Sequence, residues 1–244
     1  MPRLAERAIG PKAVTVLLPV ASLENHGVLP LGADLFIAEC VSSRLEARVG
    51  GRRGLSIAPV VPYSTAVEHV DAGFTVSVSP PVFIEYLLDV LRSLSRMARS
   101  VIVAVFHGGA YSVSFIAARM ARQELKRFPI VVYNFWDTVA RVLATRYDVK
   151  SYPVHADPVE ASVLLACGHT LGVEERPTGE VLEEIRARSA RLRQKLLPPW
   201  IGLDDEGSMY PSEPVPASKE LGEVILRESV EDLAALVERL TGPA

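Results

Sequence analysis

The 244-residue chain has 49% hydrophobic and 23% charged residues and a formal net charge of −3, an ordinary soluble globular balance. That length buries a sizeable core without covalent staples. There is no basic footprint for nucleic acid and no polybasic membrane patch, and apolar runs such as Val101–Val105 are far too short to span a bilayer.

Taken in chain order, Ala13–Val20 is a continuous run rich in Val and Leu, which predicts a strand buried on both faces. Leu35–Arg48 has helical character and stops at Gly50-Gly51; Leu55–Val61 predicts a second buried strand, closed by Pro62. Val82–Ala98 repeats Phe83, Tyr86, Leu87, Val90, Leu91, Leu94 and Met97 at helical spacing. Ser100–Phe106 predicts a third strand running into His107-Gly108-Gly109, followed by a helix over Val113–Lys126 and a fourth strand over Pro129–Phe135. Strands alternating with helices, without hairpin signals, predict an α/β fold: a three-layer α/β/α sandwich with a mainly parallel central sheet.

Beyond residue 150 the rhythm changes. Pro158–Cys167 reads as a helix with proline in its first turn. Val181–Leu197 reads as a charged amphipathic helix ended by Pro198-Pro199, and Ile201–Pro216 as a loop serving an active site or a subunit contact. Ser218 is placed to cap a final helix reaching Leu240. With no repeat and no linker, residues 1–244 are expected to form one domain. Cys40 and Cys167 lie in apolar, helix-like surroundings and are expected to be buried free thiols. The Met1–Arg7 segment precedes no signal-type apolar stretch, which points to the cytoplasm.

Chemistry concentrates in three segments that hold three of the five histidines: Glu24-Asn25-His26-Gly27 with Asp34 just beyond, His107-Gly108-Gly109, and His155 through Glu160. In an open parallel sheet, ligands bind beyond the C-terminal ends of the strands, and the first and third strands deliver Glu24, His26 and His107 to that edge. Carboxylate oxygen and imidazole nitrogen without thiolates suit Zn2+, Fe2+ or Mn2+. Asp34, at a helix onset, is placed either to bridge two ions or to serve as a plain first-turn carboxylate. Gly108 and Gly109 let backbone pass close to a ligand. His155 is a candidate proton donor to a departing amine. Ser64, Glu68 and His69 read either as pocket lining or as a solvated loop, and His169 carries no assigned role.

These segments resemble the creatininase family of metal-dependent amidohydrolases over most of the chain. Leu18–Gly27 resembles its first metal motif and Leu29–Asp34 the segment with its bridging aspartate. Ser64–His69 with Gly73-Phe74-Thr75 resembles a pocket loop, His107-Gly108-Gly109 the next ligand turn, and His155-Ala156 through Ser162 the last motif. Within the family, Leu23–Gly27 and the Ser218–Glu223 helix start are most similar to archaeal formamidopyrimidine deformylases. The resemblance implies one or two divalent ions (Fe2+, Zn2+ or Mn2+) on Glu24, His26, Asp34, His107 and Glu160, with His155 and Glu160 catalytic. It implies a pocket that includes Ser64, Glu68, His69, Gly108 and Gly109. It further implies a homo-oligomer that takes a small-molecule substrate, a pyrimidine nucleotide, and removes formate from it by metal-activated hydroxide attack. Creatinine or another cyclic amide or peptide is the alternative substrate, and a non-catalytic ligand-binding protein the alternative class. The sequence departs from the family pattern in a shorter His26–Asp34 interval, Ala110 in place of Asn, Ala161 in place of Thr, and Asp157-Pro158 in place of Gly-Glu. Gly109 stands where creatinine hydrolases carry an acidic residue.

Overall fold

A computed structural model describes residues 14–49, 54–150, 155–195 and 209–242. The Gly50-Gly51 break, the Pro198-Pro199 stop and the first half of the 201–216 loop lie outside the described residues. Four parallel strands, β1 (Thr15–Val20), β2 (Leu55–Ile57), β3 (Ser100–Val105) and β4 (Ile130–Asn134), form a sheet in the order β2-β1-β3-β4. The chain leaves β1 toward β2 and then returns to β3 on the other side, so the topological switch point falls between β1 and β3.

Pleating divides the central strands between two cores. Val16, Leu18 and Val20 of β1, with Val101, Val103 and Val105 of β3, face α2 (Pro80–Met97) and α3 (Tyr111–Leu125). Leu17, Ile102 and Ala104 face the opposite layer, built from α1 (Ala33–Val49), α4 (Phe135–Tyr147), α5 (Pro158–Ala166) and α7 (Lys219–Thr241). The three-layer expectation is met: both central strands are buried along their whole length. α5 is buried at all nine positions and apolar almost all round, as a helix sealed inside a layer must be. α6 (Thr178–Lys195) lies over it. Among the described residues no helix is long and apolar enough to cross a membrane.

Several expectations are corrected. β2 stops at Ile57 rather than Val61, because Pro59 has no N–H to give the ladder; pairing resumes at a single bridge between Val20 and Val61. The fourth strand ends at Asn134, whose side chain accepts from the Trp136 amide and starts α4, a helix not expected from the periodicity. Within the expected loop and beyond α5, β5 (Val173–Glu175) and β6 (Val215–Ala217) pair in parallel as a second small sheet. Cys40 on α1 and Cys167 at the end of α5 are not free thiols but a disulfide, with their Cα atoms 6.0 Å apart. Packing of α1 against α5 brings them together across 127 residues. Such a bond persists in oxidising compartments, or inside the cells of hyperthermophiles.

Ser218 caps α7 as expected, accepting from the Leu221 amide at 3.2 Å. One turn on, Gly222 lets α7 touch the α5 backbone: a Cβ there would sit 2.0 Å from the Ser162 carbonyl oxygen. Ser162 also accepts from the Ser218 amide at 2.9 Å, so α5 is pinned to the start of α7.

Candidate metal centre

The C-terminal ends of β1 and β3 are neighbours in the sheet, and the segments that follow them meet. Glu24 and His26 lie beyond β1, Asp34 in the first turn of α1, and His107 directly after β3. From the other side come His69, on the 3-10 turn Val67–Ala72, and His155 with Glu160 at the start of α5. The Asp157 side chain caps α5 by accepting from the amides of Val159 and Glu160 at 2.9 and 3.0 Å, which sets where Glu160 points.

Each of three histidines anchors one ring nitrogen on a main-chain carbonyl. His26 Nδ1 lies 3.1 Å from Glu24 O, His107 Nε2 2.9 Å from Thr65 O, and His155 Nε2 2.5 Å from Asn25 O. A carbonyl only accepts, so the nitrogen facing it carries the hydrogen, and in a neutral ring the other nitrogen offers a lone pair. Those lone pairs point at carboxylates. His26 Nε2 is 3.8 Å from Glu24 Oε1 and 3.9 Å from both Asp34 Oδ1 and Glu160 Oε2. His107 Nδ1 is 3.1 Å from Glu24 Oε1 and 3.2 Å from Asp34 Oδ2, and His155 Nδ1 is 3.4 Å from Glu24 Oε1. Lone pairs directed at anions repel unless a cation stands between them.

Hydrogen bonding gives the same result. Both Glu24 carboxylate oxygens, His26 Nε2, Asp34 Oδ1 and Glu160 Oε2 are buried, and none is seated in a well-aligned hydrogen bond. Leaving so many buried polar atoms unsatisfied is costly, and the five belong to four side chains that converge on one point. Three sets place one ligand atom per residue within 4.8 Å of the others: Glu24, His26 and Asp34; His26, His155 and Glu160; and Glu24, His69 and His155. The residues fit one or two divalent ions, with main-chain carbonyls orienting the imidazoles as metal sites require.

Burial and charge within the cluster shift the titration of its members. Burial works against charge on His107, but Glu24 and Asp34 outweigh it and hold the imidazolium well above its ordinary value. Burial likewise opposes the Glu24 charge, yet His107, His26 and His155 keep its carboxyl well below the usual range. Burial, followed by repulsion from Asp34, Asp157 and Glu24, pushes Glu160 well up. Burial and then His26 push His155 well down, toward the neutral imidazole that a metal binds.

Every residue expected to hold metal is thus in one cluster. Asp34 also accepts from Ser22 Oγ at 2.8 Å. Of the expected pocket residues, His69 comes closest: its Nε2 is 3.7 Å from Glu24 Oε1, its ring stacks on His155 at 3.9 Å, and its Nδ1 meets Tyr210 Oη at 2.9 Å. Burial and Glu24 raise the Tyr210 phenol to about 12. Glu68 and Gly109 lie beside His107. Gly108 is exposed near Trp136, and Ser64 is buried behind the loop. Tyr210 and the ligand-range placement of His69 were not expected from sequence; the Glu68-His69 pair was the available signal. His169 stacks on Phe36, away from the site.

A family model described as "Creatininase: Creatinine amidohydrolase" matches residues 2–237. The chain belongs to the creatininase family. Creatininase members are metal-dependent amidohydrolases, and a buried carboxylate–histidine cluster at the switch point accords with that chemistry. Solved creatininase structures share the fold. A glutamate-to-glutamine creatininase variant of Zn-Zn type aligns with TM-score 0.70, at 21% identity, over 95% of this chain and 92% of its own. A structure named creatininase Mn gives 0.69, 21%, 95% and 92%. A glutamate-to-glutamine variant complexed with creatine gives 0.70, 21%, 95% and 93%. No curated protein sequence matches the chain.

Proposed function

We propose that this creatininase-family protein hydrolyses a small non-peptide amide at a divalent metal centre held by Glu24, His26, Asp34, His107 and Glu160, with His69 and His155 beside it. The observation that carries the proposal is the set of buried, unbonded carboxylate oxygens facing imidazole nitrogens. A divalent ion bound there polarises a carbonyl and lowers the pKa of water to about 7. The protein's own part is to exclude solvent from the cluster, to fix each imidazole through Glu24 O, Thr65 O or Asn25 O, and to steady Asp34 through Ser22. His155, held neutral with its Nε2 on Asn25 O, turns Nδ1 toward Glu24 at 3.4 Å, which suits a proton-accepting role at the centre.

For the substrate, the Leu23–Gly27 and Ser218–Glu223 segments favour a formamide on an aminopyrimidine ribonucleotide, which would release formate. A second reading, hydrolysis of a cyclic amide of the creatinine type, is supported by the description of the matching family and by the neighbour complexed with creatine. The test pairs elemental analysis with turnover. His26→Ala and Asp34→Ala are expected to lose bound metal together with formate release, assayed on the formamidopyrimidine nucleotide with Fe2+, Mn2+ and Zn2+, and with creatinine as comparator. Full metal content in both variants would sink the assignment.

A further inference from the structure

At the mouth of the centre, a side chain is missing at one position and a carboxylate from elsewhere fills the space. A Cβ on Gly109 would sit 2.0 Å from Glu68 Oε1, 2.6 Å from His107 Nε2 and 2.9 Å from Glu68 Cδ, so the Glu68 carboxylate, with the edge of the His107 ring, occupies the place of any side chain at position 109. Glu68 comes from the 3-10 turn Val67–Ala72, and its Oε1 lies 3.8 Å from His107 Nε2. That nitrogen is already committed to Thr65 O at 2.9 Å, so it does not satisfy the carboxylate. Glu68 makes no hydrogen bond to any described residue, and its side chain is 15% exposed, next in sequence to His69 and beside the His107 ring. A mostly buried carboxylate with no hydrogen bond among the described residues, set between two histidines of the cluster, is a receptor for hydrogen-bond donors.

We propose that Glu68 is a specificity-determining residue that accepts two parallel N–H bonds from an amidine- or guanidine-like edge of the substrate, and that Gly109 is glycine to make room for it. Two carboxylate oxygens match two N–H groups flanking one carbon, the geometry of charge-assisted paired bonds. The amide-hydrolase assignment frames this inference, because a 2-aminopyrimidinone presents such an edge at N3–H and its amino group, and a cyclic guanidine does so when protonated. A site built to hydrogen-bond a donor rejects analogues that lack it far more strongly than a hydrophobic pocket rejects a missing methylene.

The test uses the full-length, metal-loaded protein and Glu68→Gln, which keeps size but replaces one acceptor oxygen with a donor. Binding of 2-aminopyrimidin-4-one and of pyrimidin-4-one is measured by titration calorimetry, with bound metal quantified in parallel. Wild type is expected to prefer the amino compound. Glu68→Gln is expected to weaken that compound about 10- to 150-fold, as for a lost bond to a charged group, while pyrimidin-4-one binding and metal content stay within about threefold. Equal weakening of both compounds, or of neither, overturns the proposal. Formate release from the corresponding formamides is read separately. Selective binding without turnover overturns the hydrolase assignment and leaves Glu68 recognition standing; turnover without selectivity does the reverse.

Discussion

Gly222 offers a quantitative test of how the helical layer supports the centre. Replacing it with alanine inside α7 should by itself stabilise the helix by up to about 1 kcal/mol. Here the new Cβ would meet the Ser162 carbonyl oxygen at 2.0 Å, its carbon at 2.6 Å and Ala166 Cβ at 2.8 Å. Ordinary contact needs about 3.5 Å, so α7 must withdraw from α5 by more than an ångström. Overpacking of this kind costs about 1–3 kcal/mol. Stretching the bond from the Ser218 amide to Ser162 Oγ, now 2.9 Å, adds about 1 kcal/mol. The balance is a net loss of about 2 kcal/mol, or roughly 4–8 °C in melting temperature for a chain of this size. Gly179, in the first turn of α6, is the control: nothing lies within 4 Å of its would-be Cβ. Differential scanning calorimetry should show Gly222→Ala melting lower and Gly179→Ala melting no lower than wild type. Equal or higher melting for Gly222→Ala would refute the close-contact reasoning. Because α5 also carries Glu160, the same variant should bind metal more weakly.

Two further outcomes are expected. Replacing both Cys40 and Cys167 by serine releases a 127-residue loop, and the chain-entropy relation assigns the closure about 5 kcal/mol; coincident urea midpoints for the oxidised wild type and the double variant would contradict that. Glu228 on α7 pairs with Arg141, at 3.3 Å, and with Arg146, both on α4; burial opposes its charge, but these arginines outweigh it and hold the carboxyl below its ordinary value. A depressed carboxyl stabilises the fold above the unfolded pKa of about 4.3, and that stabilisation is lost as pH falls through the folded value. Glu228→Gln should therefore cost about 0.5–1 kcal/mol at neutral pH, and the difference should vanish under acid; a pH-independent difference would point to packing instead.

Much of this architecture was legible in the sequence because burial leaves an unambiguous mark on central strands. β1 and β3 are flanked by strands and covered on both faces, so Val16–Val20 and Val101–Val105 had to be apolar throughout. The metal cluster was legible because four of its members follow those two strands. What escaped depends on distant partners. β5 and β6 are three residues each and pair across some 40 positions of chain, too short for any periodicity. The disulfide needs α1 packed against α5, which no local pattern around either cysteine encodes. α4 begins at Phe135-Trp136, residues equally at home in a strand, and its cap on Asn134 decides the matter. His69 reaches Glu24 only because its turn folds inward and Tyr210 holds the ring, a contact between residues 141 apart.

The way the three imidazoles are held bears on how this centre can change over evolutionary time. His26, His107 and His155 are oriented by the carbonyls of Glu24, Thr65 and Asn25, groups that every amino acid possesses. A point substitution at Thr65 or Asn25 alters a side chain and leaves the orienting oxygen in place. The tautomers are therefore shielded from mutation at those positions, and drift can act on the rim at Glu68 without removing the oxygens that align the rings. A scaffold arranged so can explore new substrates while its inner geometry stays inherited.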